Sequence, residues 1–174
     1  WTDRGARFRV NLFRRLGGLA VALRPIRSDP PTLESLGLDP RLYELTRFRS
    51  GLVLMTGPTG VGKSTTLVAL LERVNRTEHK HVITIEDPIE YVYPDGAALF
   101  NQRELGTHVA SFADGLRAAL RESPDIILVG EMRDRDTIAA ALTAAETGHL
   151  VLSTLHCADA SSAVSRVIDV FPEH

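Results

Sequence analysis

Gly57-Pro58-Thr59-Gly60-Val61-Gly62-Lys63-Ser64 follows the apolar run Leu52-Val53-Leu54-Met55 and opens a helical pattern from Ser64 to Asn75. The octet matches G-x-x-x-x-G-K-[ST] in full, and a strand before it and a helix after it are the context that makes this pattern a phosphate site. Glycines let backbone N–H groups curl around phosphate oxygens, and the helix N-terminus adds favourable partial charge. In such a loop Lys63 reaches the β- and γ-phosphates and the Ser64 hydroxyl binds magnesium. Thr65, in the same first turn, joins the phosphate-binding set. A chance glycine-rich turn is the competing reading, and the flanking strand and helix weigh against it.

Working outward, the runs Val82-Ile83-Thr84-Ile85, Ile126-Ile127-Leu128-Val129 and Leu150-Val151-Leu152 repeat the character of the first. They are too short for buried helices and rich in β-branched residues. Near-continuous apolar runs suit a sheet covered on both faces. Helical patterns lie between and after them, over Ser64–Asn75, Phe112–Arg121, Thr137–Glu146 and Asp159–Val170. Ser111-Phe112-Ala113-Asp114 has the form of a capping box with Asp in place of Glu, and Gly148 stands where a helix C-terminal glycine belongs. Strand–helix alternation predicts an α/β fold with a parallel sheet. Residues 1–30 differ: seven arginines (Arg4, Arg7, Arg9, Arg14, Arg15, Arg24 and Arg27) face only Asp3 and Asp29. There Phe8–Phe13 alternates as a strand, Gly17-Gly18 signals a turn and Leu19–Leu23 forms a second run, which together predict a hairpin. Ser28–Pro31 reads as a linker stiffened by Pro30-Pro31. The chain therefore divides into an N-terminal piece (1–27), a linker and lead-in helix (28–50) and an α/β core (51–174).

At 174 residues, 44% hydrophobic and 24% charged, the composition is that of an ordinary globular chain. The formal net charge of −2 gives no global basicity to suggest a nucleic-acid partner. No apolar run approaches the ~20 residues that span a bilayer, and the first residues do not read as a signal peptide. The single cysteine, Cys157, excludes an internal disulfide and a four-cysteine zinc site. These features suit a cytosolic protein that does not itself insert into a membrane. The missing initiator methionine and the stop at Pro172-Glu173-His174, just after a helical pattern, read as a fragment of a longer chain.

In an open parallel sheet, ligands sit outside the carboxyl ends of the strands. The second run ends in Glu86-Asp87, with Glu90 three residues on; the third ends in Gly130-Glu131; the fourth ends in Ser153-Thr154, with His156 just beyond. Parallel strands bring all of these to the edge that carries the phosphate loop, and that convergence points to hydrolysis rather than binding alone. Glu131 is the candidate general base, able to orient water for in-line attack on a γ-phosphate; the other reading is a solvated loop carboxylate. The usual pattern puts an Asp just before such a Glu to hold magnesium. Here Gly130 stands there, so Glu131 is also a candidate magnesium ligand, through water, alongside Ser64. Among Glu86, Asp87 and Glu90, one is expected to assist the metal or the water; the alternative is a turn built on Asp87-Pro88. His156 is a candidate γ-phosphate contact or a structural histidine. His149 stands between Gly148 and the fourth run. Cys157 reads as an ordinary thiol, and His79 and His81 lack the further ligands a zinc site needs.

Three longer stretches carry a family resemblance. Leu120-Arg121-Glu122-Ser123-Pro124-Asp125-Ile126-Ile127-Leu128-Val129-Gly130-Glu131-Met132-Arg133-Asp134 resembles the signature of the ATPases of type II secretion and type IV pili, in which Gly-Glu is normal at this strand end. Ile83-Thr84-Ile85-Glu86-Asp87-Pro88-Ile89-Glu90 resembles that family's aspartate box, and Thr147 to His156 its histidine box, which brings in His149 as well as His156. Met132, Asn101-Gln102-Arg103-Glu104 and Val167-Ile168-Asp169-Val170-Phe171-Pro172 lean towards the pilus-retraction branch. The resemblance implies a RecA-like P-loop core preceded by the last strands of a PAS-like N-terminal domain. It implies ATP and Mg2+ as ligands, a homo-hexameric ring, an inner-membrane platform protein as partner, and a cytoplasmic location peripheral to the bacterial inner membrane. Arginines of the N-terminal domain contact nucleotide in this family, and Arg9 and Arg24 are the matching positions; a solvated basic face is the alternative. With Glu90 and His156 completing the γ-phosphate environment, the expectation is a magnesium-dependent ATPase driving pilus retraction. Pilus extension or type II secretion, a RecA-like nucleic-acid translocase and a non-hydrolysing ATP-binding subunit stay open at this point.

Overall fold

The computed structural model describes residues 2–3, 6–26 and 29–171. Arg4, Arg27, Ser28 at the head of the expected linker, and Pro172-Glu173-His174 lie outside them. At the N-terminus, β1 (Thr2–Asp3), β2 (Ala6–Arg15) and β3 (Gly18–Ile26) form an antiparallel sheet in that order. The predicted hairpin is present, but its turn is one residue earlier than Gly17-Gly18. Arg15 pairs with Gly18, so Leu16 and Gly17 make the loop and Gly18 starts β3. A 3-10 helix over Pro40–Arg47 leads into the core.

Each apolar run of the core becomes a parallel strand. The order along the chain is β4 (Gly51–Thr56), α1 (Lys63–Thr77), β5 (His81–Glu86), β6 (Leu99–Glu104), α2 (Phe112–Ala119), β7 (Ile126–Val129), α3 (Arg135–Glu146), β8 (Leu150–Leu155) and α4 (Ala160–Ile168). The five strands pair in the order β4-β8-β7-β5-β6, all parallel. Val82, Ile126, Leu128, Leu150 and Leu152 face Leu67, Leu70, Leu71 and Val74 of α1. Ile83, Ile85, Ile127, Val129 and Val151 face the opposite layer, with Leu116 of α2, Ile138 of α3 and Ala163 of α4. Both faces are covered, so successive strand residues are mostly apolar, with Thr84, Ser153 and Thr154 the buried polar exceptions near the strand ends. Burial of each large aliphatic side chain stabilises by about 1.5–3 kcal/mol.

β6 is a strand that the apolar pattern does not predict. It lies at the edge beside β5, where its residues are half-buried or exposed, and Asn101-Gln102-Arg103-Glu104 is polar. The helix starts are set by side-chain caps. Ser111 Oγ accepts from Asp114 N at 3.0 Å and donates to Asp114 Oδ2 at 2.8 Å. Asp114 is a methylene shorter than Glu, and its carboxylate takes the serine hydroxyl instead of completing a full capping box. Asp134 and Asp159 accept at 2.8 Å from Thr137 N and Ser162 N to cap α3 and α4. α2 stops at Ala119, two residues short of the predicted end, and α4 is Ala160–Ile168 rather than Asp159–Val170. Among the described residues no helix is long and apolar enough to cross a membrane.

Candidate functional site

The loop between β4 and α1 is shaped by its glycines. Gly62 is the N-cap of α1 at φ 101°, a left-handed conformation that disfavours any residue with a Cβ. Helix α1 therefore starts with its free N–H groups at Lys63, Ser64 and Thr65, aimed at the loop. The Lys63 ammonium folds back and donates to the carbonyls of Gly57 at 2.8 Å and Pro58 at 2.9 Å. Thr59, Gly60, Gly62, Lys63, Ser64 and Thr65 line a cavity of about 470 Å³, and Val61 points outward, 60% exposed.

Because all five strands run the same way, their carboxyl ends deliver acidic and imidazole groups to this cavity. Glu131, just after β7, has Oε2 2.7 Å from Arg133 and Oε1 3.2 Å from His156 Nε2. His156, just after β8, turns Nδ1 towards Lys63 Nζ and Thr59 Oγ1, each at 3.4 Å. An ammonium only donates, so Nδ1 accepts and Nε2 carries the proton that meets Glu131. Burial alone would raise the Glu131 pKa. The Arg133 hydrogen bond, the Nε2–H of His156 and the charges of Arg133 and Lys63 outweigh it and hold the carboxylate below its ordinary value. Gly130 fits for a steric reason. Its N–H donates to Ile85 O at 2.8 Å, and a Cβ there would meet that oxygen at 3.2 Å, so β7 approaches β5 too closely for an aspartate without a shift of backbone.

The end of β5 contributes differently. Glu86 is buried, and burial pushes its pKa up, against hydrogen bonds from Thr84 Oγ1, Gln102 Nε2 and the Glu90 backbone that pull it down. Asp87 and Glu90 line the same cavity, and Glu90 Oε1 lies 3.5 Å from Arg24 of β3. Arg9 and Arg24 pair directly across β2 and β3 and both line this cavity and a neighbouring one of about 390 Å³. The neighbouring cavity is walled by Pro25, Ile26, Thr65, Pro88, Ile89 and Tyr91.

The structure thus brings Lys63, Ser64, Thr65, Glu90, Glu131, His156, Arg9 and Arg24 to one cavity. It does not bring His149 there. His149 precedes β8, so it lies at the opposite edge of the sheet, where its carbonyl accepts from Gly51 N at 3.1 Å and Nδ1 is 3.3 Å from Ala144 O. The intervening strand is about 17 Å long at ~3.3 Å per residue. Ser153 and Thr154 donate to Val129 O and Gly130 O, both at 2.7 Å, and so tie β8 to β7. Arg133 was not singled out by the sequence; its only signal is its place two residues beyond Glu131. For magnesium, the donor set fits. The cation takes one or two protein oxygens and fills its shell with phosphate and water, and the Ser64 hydroxyl and Glu131 carboxylate open on one cavity. Among the described residues no group of three or more His, Cys, Asp or Glu side chains could hold a metal by itself.

Comparison with known proteins adds the lineage. A family model described as type II/IV secretion system protein matches residues 2–171. The type IV pilus retraction ATPase PilT of Pseudomonas aeruginosa is 53% identical over 167 residues, 96% of this chain and 48% of the relative. A twitching motility protein of Neisseria gonorrhoeae is 53% identical over 96% of this chain and 45% of its own length. The crystal structure of the pilus retraction motor PilT with bound ADP superposes with a TM-score of 0.94 at 51% identity, over 99% of this chain and 50% of that one. The chain spans about half the length of the curated relatives it matches. A strand–loop–helix phosphate site, a parallel sheet that gathers its acids at one edge, and these matches agree that the chain belongs to the type II/IV secretion system protein family.

Proposed function

We propose that this chain is the nucleotide-hydrolysing part of a hexameric motor that powers type IV pilus retraction, converting ATP and water to ADP and phosphate. The observation that carries this reading is the convergence of Lys63, Glu131 and His156 on the phosphate-loop cavity. The retraction branch is supported by the relatives named for retraction and twitching motility. The motor would act from the cytoplasmic side of the bacterial inner membrane on a platform protein, without nucleic acid and without inserting itself into the membrane. In the same reading β2 and β3 are the last strands of a PAS-like N-terminal domain, residues 28–50 link it to the core, and 51–174 form the ATPase core.

Loop amides and Lys63 hold the β- and γ-phosphates of ATP. Magnesium, held by Ser64 and through water by Glu131, would neutralise phosphate charge. Glu131 accepts the proton of a water whose oxygen bonds to the γ-phosphorus as the bond to the β-bridging oxygen breaks, and ADP leaves with the electron pair. The low Glu131 pKa keeps the base ionised. Arg133 and His156 each take one acceptor site, on Oε2 and Oε1 respectively, and the remaining lone pairs are free to accept from the attacking water. His156 and Glu90 face the γ-phosphate, and Arg9 and Arg24 approach it from the hairpin.

The test is magnesium-dependent phosphate release by the full protein beside its Glu131→Gln variant. The variant keeps nucleotide binding and loses roughly 10²–10⁴ in turnover. Equal release by both proteins removes Glu131 as the base. ATP binding without turnover in the wild type removes the motor reading.

A further inference from the structure

We propose that Gln102 is a positioning residue that aims Glu90 into the phosphate-loop cavity by clamping the backbone on the far side of Glu90 to β6. The inference rests on the reading that Glu90 belongs to the γ-phosphate environment. It concerns a residue that does not line the cavity: the Gln102 side chain bonds to Glu86, Tyr91 and Tyr93.

From Ile89 to Tyr93 burial alternates, as it does along a strand. Ile89, Tyr91 and Tyr93 are 7%, 6% and 8% exposed, and Glu90 and Val92 are half-buried. The three inward residues are held by side chains of β6 rather than by its backbone. Ile89 N donates to Glu104 Oε2 at 3.2 Å. Gln102 Nε2 donates to Tyr91 O at 2.8 Å, and Tyr93 N donates to Gln102 Oε1 at 3.1 Å. The Gln102 amide therefore acts as a peptide group would in a neighbouring strand, with its donor and its acceptor both engaged by one segment. Its second N–H meets Glu86 Oε1 at 3.2 Å, the oxygen to which Thr84 Oγ1 donates at 2.6 Å. One side chain thus ties the end of β5 to the segment carrying Glu90.

The geometry follows from register. Thr84 lies opposite Gln102 and Glu86 opposite Glu104, so all four side chains stand on the α1 face of the sheet. With Tyr91 and Tyr93 packed into the core on that face and Ile89 buried ahead of them, Glu90 between Ile89 and Tyr91 projects the other way. It reaches the cavity wall and Arg24 Nη2 at 3.5 Å. Glu90 has no rigid element of its own. Its aim depends on the pinned residues around it, and a group misplaced by about 1 Å can lose about 10²-fold in rate.

The experiment is steady-state ATPase kinetics on the full protein with wild type, Glu90→Gln, Gln102→Ala and the double variant. Gln102→Ala is expected to lower kcat by roughly 10- to 10²-fold with KM for ATP within about twofold. The double variant should be no slower than Glu90→Gln alone, because a residue that acts through Glu90 has nothing left to position. Gln102→Met, which keeps side-chain volume but offers no hydrogen bonds, should show the same kcat loss and serves if the alanine variant folds poorly. Wild-type kcat in a folded Gln102 variant, or losses that multiply in the double variant, overturns the proposal while leaving the Glu90 reading intact. Wild-type kcat in Glu90→Gln overturns the premise, and the proposal with it.

Discussion

His156 holds a central place in the phosphate-loop cavity: Nδ1 faces Lys63 and Thr59, and Nε2 faces Glu131. Removing it leaves the lysine and the glutamate without their common partner, while the backbone amides that grip phosphate stay in place. His156→Ala should therefore bind ATP within a few-fold of wild type and lose about 10²-fold in turnover, the usual cost of deleting one group that meets developing charge. Single-turnover phosphate release beside equilibrium nucleotide binding checks this, and equal losses in both would assign His156 to ground-state binding instead. Much of this constellation was legible because each residue follows a strand, and strand direction alone sends it to the loop edge. The same rule, applied strictly, places His149 before its strand and so at the far edge, where the structure has it. Arg133 and Gln102 were not legible as partners. Their contacts join a loop residue to its second neighbour and an edge strand to the extended segment before it, and neither leaves a periodicity to read.

Helix α3 carries no residue that lines the phosphate cavity, yet its start is fixed beside Glu131 by the cap at Asp134. Asp134 Oδ1 accepts from Thr137 N at 2.8 Å and Oδ2 from Thr137 Oγ1 at 2.7 Å. Asp134→Ala should destabilise the fold by about 1 kcal/mol, which lowers Tm by roughly 2–4 °C for a chain of this size. Burial raises the Asp134 pKa, but the hydrogen bonds outweigh it and the net shift is downward. A depressed carboxylate contributes its full stability above its unfolded value of about 3.9. That contribution is lost as pH falls through the folded pKa. Denaturation of wild type and variant should differ at neutral pH and converge at the acid end; a gap that persists in acid would mean that the cap acts through packing. At this scale the apolar runs revealed four of the five core strands, because strands covered on both faces are built mostly of apolar residues. β6 escaped because an edge strand with a polar sequence carries no such run. The turn of the hairpin shifted to Leu16-Gly17 because the strand register, and not glycine content, decides which residues form the loop.

The hairpin and the core meet across the phosphate-loop cavity, and the charges there make an argument about the whole molecule. Arg9 and Arg24 stand opposite one another in the β2–β3 register, and like charges in direct cross-strand pairs are unfavourable. Among the described residues the ion pair they make is that of Arg24 with Glu90 at 3.5 Å, with the two side chains 72% and 41% exposed; an ion pair so open to water adds little. A phosphate between the two arginines would relieve the repulsion and supply the charge-assisted hydrogen bonds that guanidinium groups favour. The other face of the hairpin, with Val10, Leu12, Leu19, Val21 and Leu23 exposed, has no such role. If nucleotide bridges hairpin and core, its binding should slow amide hydrogen exchange in β2 and β3. The limit is about 10²-fold protection at a ligand concentration near 100 times Kd. If the arginines meet the terminal phosphate, a non-hydrolysable ATP analogue should protect the hairpin more than ADP. Arg9→Ala with Arg24→Ala should abolish the added protection in β2 and β3 while α1 and the phosphate loop keep theirs. Exchange in the hairpin that ignores nucleotide would show that the arginines are a solvated basic face, and the site would then belong to the core alone.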